Sequence, residues 1–191
     1  MPFGAHETME AHEMLNEKIN MINNFSIYLH NCQNQSLRSM IQRHQQTAIQ
    51  AYDQLVHYTH DYTAANQNRQ TMGMGMPNFQ QEQISYGLNN PQTMAPQMTG
   101  PLPDHMIALA VLSFHKNSAK NHMAASLECA DTNVRQMLIE GAITCAQQAY
   151  EMFLFMNQNG FYQVPTIQDH TAKTYLHSYQ PNHQNQANPI M

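Results

Sequence analysis

Residues 104–160 read DHMIALAVLSFHKNSAKNHMAASLECADTNVRQMLIEGAITCAQQAYEMFLFMNQNG and predict two helices joined by a short turn. Apolar and small residues recur every three or four positions, which is the spacing of one buried helical face. Asp104 is the expected cap of the first helix, to about residue 130, and Asp131 or Thr132 that of the second, to about residue 159. The predicted inward positions are Ala108, Val111, Leu112, His115, Ala119, His122, Ser126 and Cys129, then Val134, Leu138, Gly141, Cys145, Ala149, Met152 and Met156, with a stop at Gly160.

The N-terminal third repeats this pattern. Helices are predicted over about 5–32 and 36–63, the second opened by Ser36 as its N-cap. Their predicted inward positions are Ala11, Leu15, Lys18, Ile22, Phe25, Leu29 and Cys32, then Leu37, Ile41, His44, Ala48, Ala51, Leu55, Tyr58 and Tyr62.

These segments predict an all-α fold, a ferritin-like four-helix bundle made of two antiparallel hairpins and a long crossover. The expected division is an N-terminal hairpin at 1–63, a Met/Gln/Asn/Pro-rich linker at 64–103, a C-terminal hairpin at 104–163 and a polar tail at 164–191. A short helix at 166–178 is possible within the tail, whose last dozen residues are expected to be disordered.

Composition excludes several classes of function. Only 11% of the 191 residues are charged and the net charge is −5, so no basic surface for nucleic acid is expected. No apolar run is long enough to span a membrane, and the first 20 residues lack the pattern of a signal peptide. Three cysteines without a CxxC spacing predict buried thiols rather than disulfides or a zinc ribbon.

The segment GAHETMEAHEML, residues 4–15, raises the question of a metal site. Projected on a helix, His6, Glu10, Glu13 and Glu17 share a face opposite the apolar stripe, so they are expected to face solvent, and His12 is the one residue that turns inward. The other helical acids, Asp53, Glu128, Glu140 and Glu151, also project away from the predicted core. A di-iron bundle needs inward carboxylates and Glu-x-x-His motifs, and the sequence contains no such motif.

Imidazole and thiol groups do project inward. His44, His115, His122 and Cys145 are weak candidates for a zinc or copper site, and parallel second and third helices place His44 and His115 in one layer. The competing interpretation is that these are hydrogen-bonded core residues, with His115 paired to Cys145 or Gln148. Since no acid is expected on the inner faces to orient a nucleophile, neither catalysis nor a cofactor is predicted.

Residues 108–165 resemble the coat F domain of bacterial endospore coat proteins. The resemblance rests on a hairpin with an Asn/Asp turn before Arg135, a Met-rich helix end, and the closing residues Gly160, Phe161, Tyr162 and Pro165. The N-terminal GAHETMEAHEML is similar to the His-Glu openings of relatives of that family. The resemblance implies a ferritin-like bundle in the spore coat without catalytic residues. Tyr150 departs from relatives that have a histidine there, which weakens a metal site.

The predicted function is therefore a non-enzymatic structural component of the endospore coat. Its expected partners are other spore coat proteins and further copies of itself, and Tyr162, Tyr175 and Tyr179 are candidates for oxidative cross-linking, as are linker glutamines for isopeptide bonds. The alternative is a degenerate ferritin-like protein that binds a transition metal or small ligand through the inward histidines.

Overall fold

The computed structural model describes residues 4–60, 83–87 and 100–179. Four long helices form a bundle and a short fifth helix follows: α1 (Ala5–Asn31), α2 (Gln35–His60), α3 (Asp104–Leu127), α4 (Thr132–Gln158) and α5 (Asp169–Leu176). Helix α1 packs mainly against α2, and α3 against α4, so the predicted all-α bundle of two hairpins is confirmed. We call α1 with α2 the N-hairpin and α3 with α4 the C-hairpin.

Local hydrogen bonds explain where the helices begin and end. Asn34, not the predicted Ser36, caps α2, because its side-chain oxygen accepts from the Leu37 amide at 3.0 Å. Asp131, one of the two predicted caps, is the residue that caps α4, and it accepts from two backbone amides. Helix α4 ends where Gly160 adopts a φ of 73°, and the amides of Gly160 and Phe161 bond back to the last helical turn. This is the Schellman arrangement that glycine favours.

The prediction that Asp104 caps α3 was wrong. Pro103 occupies the cap position, and the Asp104 carboxylate accepts from the backbone amides of Gln33 and Asn34, both at 2.9 Å. The start of α3 is thereby bonded to the start of α2. Helices α2 and α3 consequently run parallel, as the sequence predicted.

The inward face of α1 differs from the predicted one. Met14 and Met21 are buried, whereas Leu15 and Ile22 are only half-buried. The buried positions of α1 are Glu7, Ala11, Met14, Lys18, Met21 and Phe25, which follow a heptad spacing of four and three residues. Because flexible methionines fill the interior, the helix is rotated and the neighbouring Glu17 is brought toward α3.

Two peripheral segments lie at the α4 end of the bundle. Ser85 exchanges two hydrogen bonds with the buried Asn157 side chain, at 2.8 and 3.0 Å, and the Gly87 amide donates to Val164. Helix α5 has no buried residue. Most of the predicted linker and the last twelve residues lie outside the described residues.

Candidate functional site

A chain of polar side chains crosses the interior from α4 to α3. Glu151 binds both Arg43 and His44, the latter through His44 Nε2 at 2.9 Å. His44 Nδ1 in turn lies 3.0 Å from His115 Nε2. The sequence predicted His44 and His115 in one layer, and the structure confirms it.

Glu151 was predicted to project away from the core, yet its carboxylate reaches an interior histidine. A glutamate side chain is long enough to reach sideways from the edge of α4 to the inward imidazole of α2. The predicted pairing of His115 with Cys145 or Gln148 was also wrong, since its nitrogen contact is His44.

Hydrogen bonding determines the tautomers of this chain. The hydrogen bond from His44, together with the nearby Arg43, holds the pKa of Glu151 below its ordinary value, so this carboxylate accepts and His44 Nε2 donates. In its neutral form His44 then accepts at Nδ1 from His115 Nε2. The other nitrogen of His115, Nδ1, is completely buried and has no hydrogen-bond partner among the described residues.

Burial keeps His115 neutral. Its side chain is 0% exposed, and the edge of its ring packs on Phe25 with centroids 5.5 Å apart. Burial first, then the neighbouring His44 and the positive charge of Lys18, hold the pKa of His115 well below its ordinary value. Protonation of His115 is therefore costly in the folded protein.

A second polar cluster lies further along α3. Ser118 and Asn121 donate to the two carboxylate oxygens of Glu17, and His122 Nδ1 donates to the Ser118 carbonyl at 2.8 Å. Glu17 was predicted to face solvent, and that prediction was wrong because the rotation of α1 turns it toward α3. His12, predicted to turn inward, is instead exposed and hydrogen-bonded to Asn16.

His122 occupies space that a glycine provides. A Cβ on Gly141 would lie 2.6 Å from His122 Cδ2, far closer than van der Waals contact allows. Burial, and after it the charge of Lys18, lowers the pKa of His122 to about 4. The ring is therefore neutral at physiological pH and held between α3 and α4.

The thiols are not activated. All three cysteines are free and buried, and burial raises the pKa of Cys145, while the pKa values of Cys32 and Cys129 are raised to about 11. A nucleophilic cysteine requires a lowered pKa and access to solvent. These three have neither.

A groove on the surface of the bundle does not reach His44 or His115. It has a volume of about 650 Å³ and runs between α1 and α3, with Glu10, Glu13, Glu17 and Glu128 among its lining residues. Neither His44 nor His115 borders it. This groove is therefore not a substrate pocket for the imidazole chain.

The geometry of Glu151, His44 and His115, which with the Glu17 cluster we call the polar layer, is that of a hydrogen-bonded chain rather than of a metal site. A separation of 3.0 Å between the two imidazole nitrogens is a normal hydrogen-bond length, and zinc needs three or four protein ligands. In the part of the chain that the structure describes, no three His, Cys, Asp or Glu side chains form a group that could hold one. The positive charges of Lys18 and Arg43 oppose a further cation.

Comparison with known proteins agrees with this geometry. The family model described as Coat F domain matches residues 103–165, which are the C-hairpin and its closing segment. The chain is also 26% identical to the spore coat protein F-like protein YhcQ of Bacillus subtilis (strain 168) over 179 residues, covering 93% of this chain and 81% of that protein. Both findings support the spore coat protein F-like family, and no solved structure matches.

The segment that the Coat F domain model matches contains most of the polar side chains described above. His115, Ser118, His122 and Glu151 all lie within it, and the N-hairpin contributes their counterparts. Sequence reasoning found the histidines from their helical spacing. It missed the two acids and gave no role to Lys18, which is only 6% exposed.

The candidate cross-linking tyrosines differ in their environment. Tyr162, inside the coat F domain, is half-buried, packs its ring against Phe153 at 5.5 Å and lies under the Lys116 ammonium. Tyr175 and Tyr179, beyond the domain, are 74% and 81% exposed. These two are the accessible phenols of the set.

Among the described residues, no helix is long and apolar enough to cross a membrane.

Proposed function

We propose that this protein is a non-enzymatic structural component of the endospore coat, whose bundle mediates protein–protein assembly. The observation that carries the proposal is that the matched hairpin directs His115, Ser118 and Glu151 to side chains of the N-hairpin. Polar chemistry inside the bundle is thus used to join helices. The coat role itself is supported by the family match and the YhcQ likeness.

The C-terminal segment provides an adhesive surface in this proposal. Ile167, Tyr175, Leu176 and Tyr179 are each more than 65% exposed, and α5 buries no residue. A helix of eight residues gains little stability alone, so it benefits from docking on a partner. Other spore coat proteins and further copies of this chain are the proposed partners.

Oxidative coupling would make such contacts permanent. Two phenols on neighbouring molecules form a ring-to-ring C–C bond, and the two hydrogens are removed by an oxidant such as hydrogen peroxide. Exposure favours Tyr175 and Tyr179 over the packed Tyr162. Treating the protein with peroxidase and peroxide should produce dityrosine and covalent dimers in the wild type and in Tyr162→Phe, but much less in the Tyr175→Phe, Tyr179→Phe double variant.

The test of location uses an endospore-forming host. A tagged full-length chain should appear in the coat fraction of purified spores and be released by detergent and reductant extraction. A chain truncated after residue 165 should be retained less well if the exposed C-terminal residues contribute adhesion. Recovery of the tagged full-length protein only in the mother-cell lysate or the spore core would contradict the proposal.

Binding of a transition metal or small ligand through His44 and His115 is the competing function. Two observations favour metal binding. The ring nitrogens of His44 and His115 face each other, and Glu151 is hydrogen-bonded to the other nitrogen of His44, as carboxylates often are to metal-bound histidines. The missing third ligand and the nearby cations are the reasons it ranks second.

A further inference from the structure

The two hairpins meet through polar contacts at three levels of the bundle. At one end Asp104 accepts from the amides of Gln33 and Asn34. At the other end Glu7 accepts from the Asp131 amide, and Tyr58 donates to the Asp131 carboxylate at 2.8 Å. The Glu151–His44–His115 chain and the Glu17 cluster lie between them.

These contacts make the pairing specific. Each joins groups at least 70 residues apart in sequence, with the N-hairpin on one side and the C-hairpin on the other. Polar groups fix which surfaces fit, because a shifted register would bury donors and acceptors without partners. Every copy of the chain presents both halves of this match.

Covalent connection does not force the two halves to come from one molecule. Helix α2 ends at His60, and the next described segment, residues 83–87, is bonded to the C-hairpin through Asn157. The intervening 61–82 can extend to about 75 Å. A 27-residue helix is about 40 Å long, so this reach exceeds the length of the bundle.

We propose that copies of this chain exchange hairpins, so that the N-hairpin of one copy packs on the C-hairpin of another through these same contacts. The proposal rests on the assembly role proposed above and names its partner, a second copy. Reciprocal exchange gives a closed dimer, and successive exchange gives an open chain.

Concentration decides between the closed and exchanged forms, because both contain the same contacts. A covalent connection of this length presents its own hairpin at an effective concentration of roughly millimolar. Dilute protein is therefore expected to be closed, whereas a densely packed protein layer favours exchange.

Complementary charge reversal tests the exchange at low concentration. Arg43→Glu, on α2, and Glu151→Arg, on α4, each place like charges together in a closed molecule. When the two variants are unfolded and refolded together, an exchanged heterodimer pairs the two substituted side chains at one interface and the native Arg43 and Glu151 at the other. We expect twice the monomer mass by light scattering and a Tm restored toward that of the single-chain Arg43→Glu, Glu151→Arg double variant.

The matched control uses an ion pair that exchange cannot rescue. Lys173 and Asp169 lie 2.5 Å apart within α5, so mixing Lys173→Glu with Asp169→Lys should give no dimer and no change in Tm. A mixture of the Arg43 and Glu151 variants that stays monomeric, with the two separate low Tm values, would overturn the proposal if the double variant is a stable monomer.

A second variant applies if that double variant does not fold. Deleting residues 66–77 leaves about ten connecting residues, which reach about 35 Å, less than the bundle length. Exchange predicts a folded dimer for this chain, and a monomer of any kind overturns it. Neither result bears on the spore fractionation, which tests the coat role separately.

Discussion

Gly141→Ala should destabilise the protein although alanine is the better helix former. A Cβ at residue 141 would lie 2.6 Å from His122 Cδ2 and 3.2 Å from His122 Nε2. The ring cannot easily move, because it is 2% exposed and its Nδ1 is bonded to the Ser118 carbonyl at 2.8 Å. Overpacking of this kind costs about 1–3 kcal/mol, and the helix propensity of alanine offsets about 1 kcal/mol.

Subtracting the helix-propensity gain leaves an expected net loss of up to about 2 kcal/mol in the free energy of unfolding, or a Tm lower by up to about 8 °C for a domain of this size. Urea unfolding followed by far-ultraviolet circular dichroism measures it. Ala146→Gly, at an exposed position of the same helix, measures the propensity contribution alone. Adding His122→Ala should reduce the cost of Gly141→Ala, since the clash disappears. An effect of Gly141→Ala that is the same with and without His122→Ala would refute the claim that His122 is fixed against α4.

Three further outcomes follow from the polar layer. Acid should weaken the fold before the carboxylates titrate. The unfolded chain protonates His122 near pH 6.5 but the folded one only near pH 4, so the contribution of His122 to stability is full above about pH 6.5 and falls toward pH 4 by about 3 kcal/mol. Urea unfolding at pH 7.0 and 4.5 should show this, and His122→Gln should reduce the pH slope without removing it, because the lowered pKa of the buried His115 acts in the same direction; equal pH slopes in the wild type and the variant would contradict it. Glu151→Gln should lower the free energy of unfolding by about 1–3 kcal/mol, because Arg43 and His44 lose a charged acceptor, whereas Glu140→Gln on the exposed face of α4 should change it by less than about 0.5 kcal/mol. Zinc and copper should leave the Tm unchanged, since among the described residues only His44 and His115 bring imidazole nitrogens together and the positive charges of Lys18 and Arg43 lie nearby; stoichiometric binding with a Tm increase that His44→Ala abolishes would revive the metal-binding function.

Helical periodicity predicted the bundle because it depends on spacing alone. The positions of His44, His115 and His122 on inward faces followed from steps of three and four residues, and the structure buries all three. Parallel α2 and α3 followed from the long connection between hairpins. These properties arise within single helices or from connectivity, so no knowledge of packing was needed.

The partners of those histidines could not be predicted in the same way. A helical projection places Cα atoms, whereas a glutamate carboxylate lies several bonds from its backbone and can reach around the helix. Glu151 reaches His44 from a partly exposed position, and Glu17 reaches Ser118 only because α1 is rotated. That rotation depends on Met14 and Met21 filling the interior in preference to Leu15 and Ile22, a choice made by packing against the other helices.

The helix N-caps show the same limit of prediction from sequence. Asp104 has the sequence signature of an N-cap, but its carboxylate serves the amides of Gln33 and Asn34 in the other hairpin. The N-cap preference identifies a side chain that can accept from backbone amides. It does not identify which amides lie nearest to that side chain in the folded chain. Asp131, whose own helix supplies the nearest donors, was predicted correctly.

Burying polar and charged groups costs desolvation free energy, so the polar layer between the four helices needs an explanation other than stability. Replacing buried charged groups with apolar ones often leaves stability unchanged or increases it, so stability alone does not explain Lys18, His44 and His115 in the interior. Buried polar residues do set register and partner in coiled coils. In this bundle the polar groups lie where one hairpin meets the other, and a hairpin that lacks the matching acids and imidazoles would leave them unpaired. The layer therefore makes the pairing of the two hairpins specific, and the proposed hairpin exchange requires that specificity whether the matching hairpin comes from the same molecule or from its neighbour.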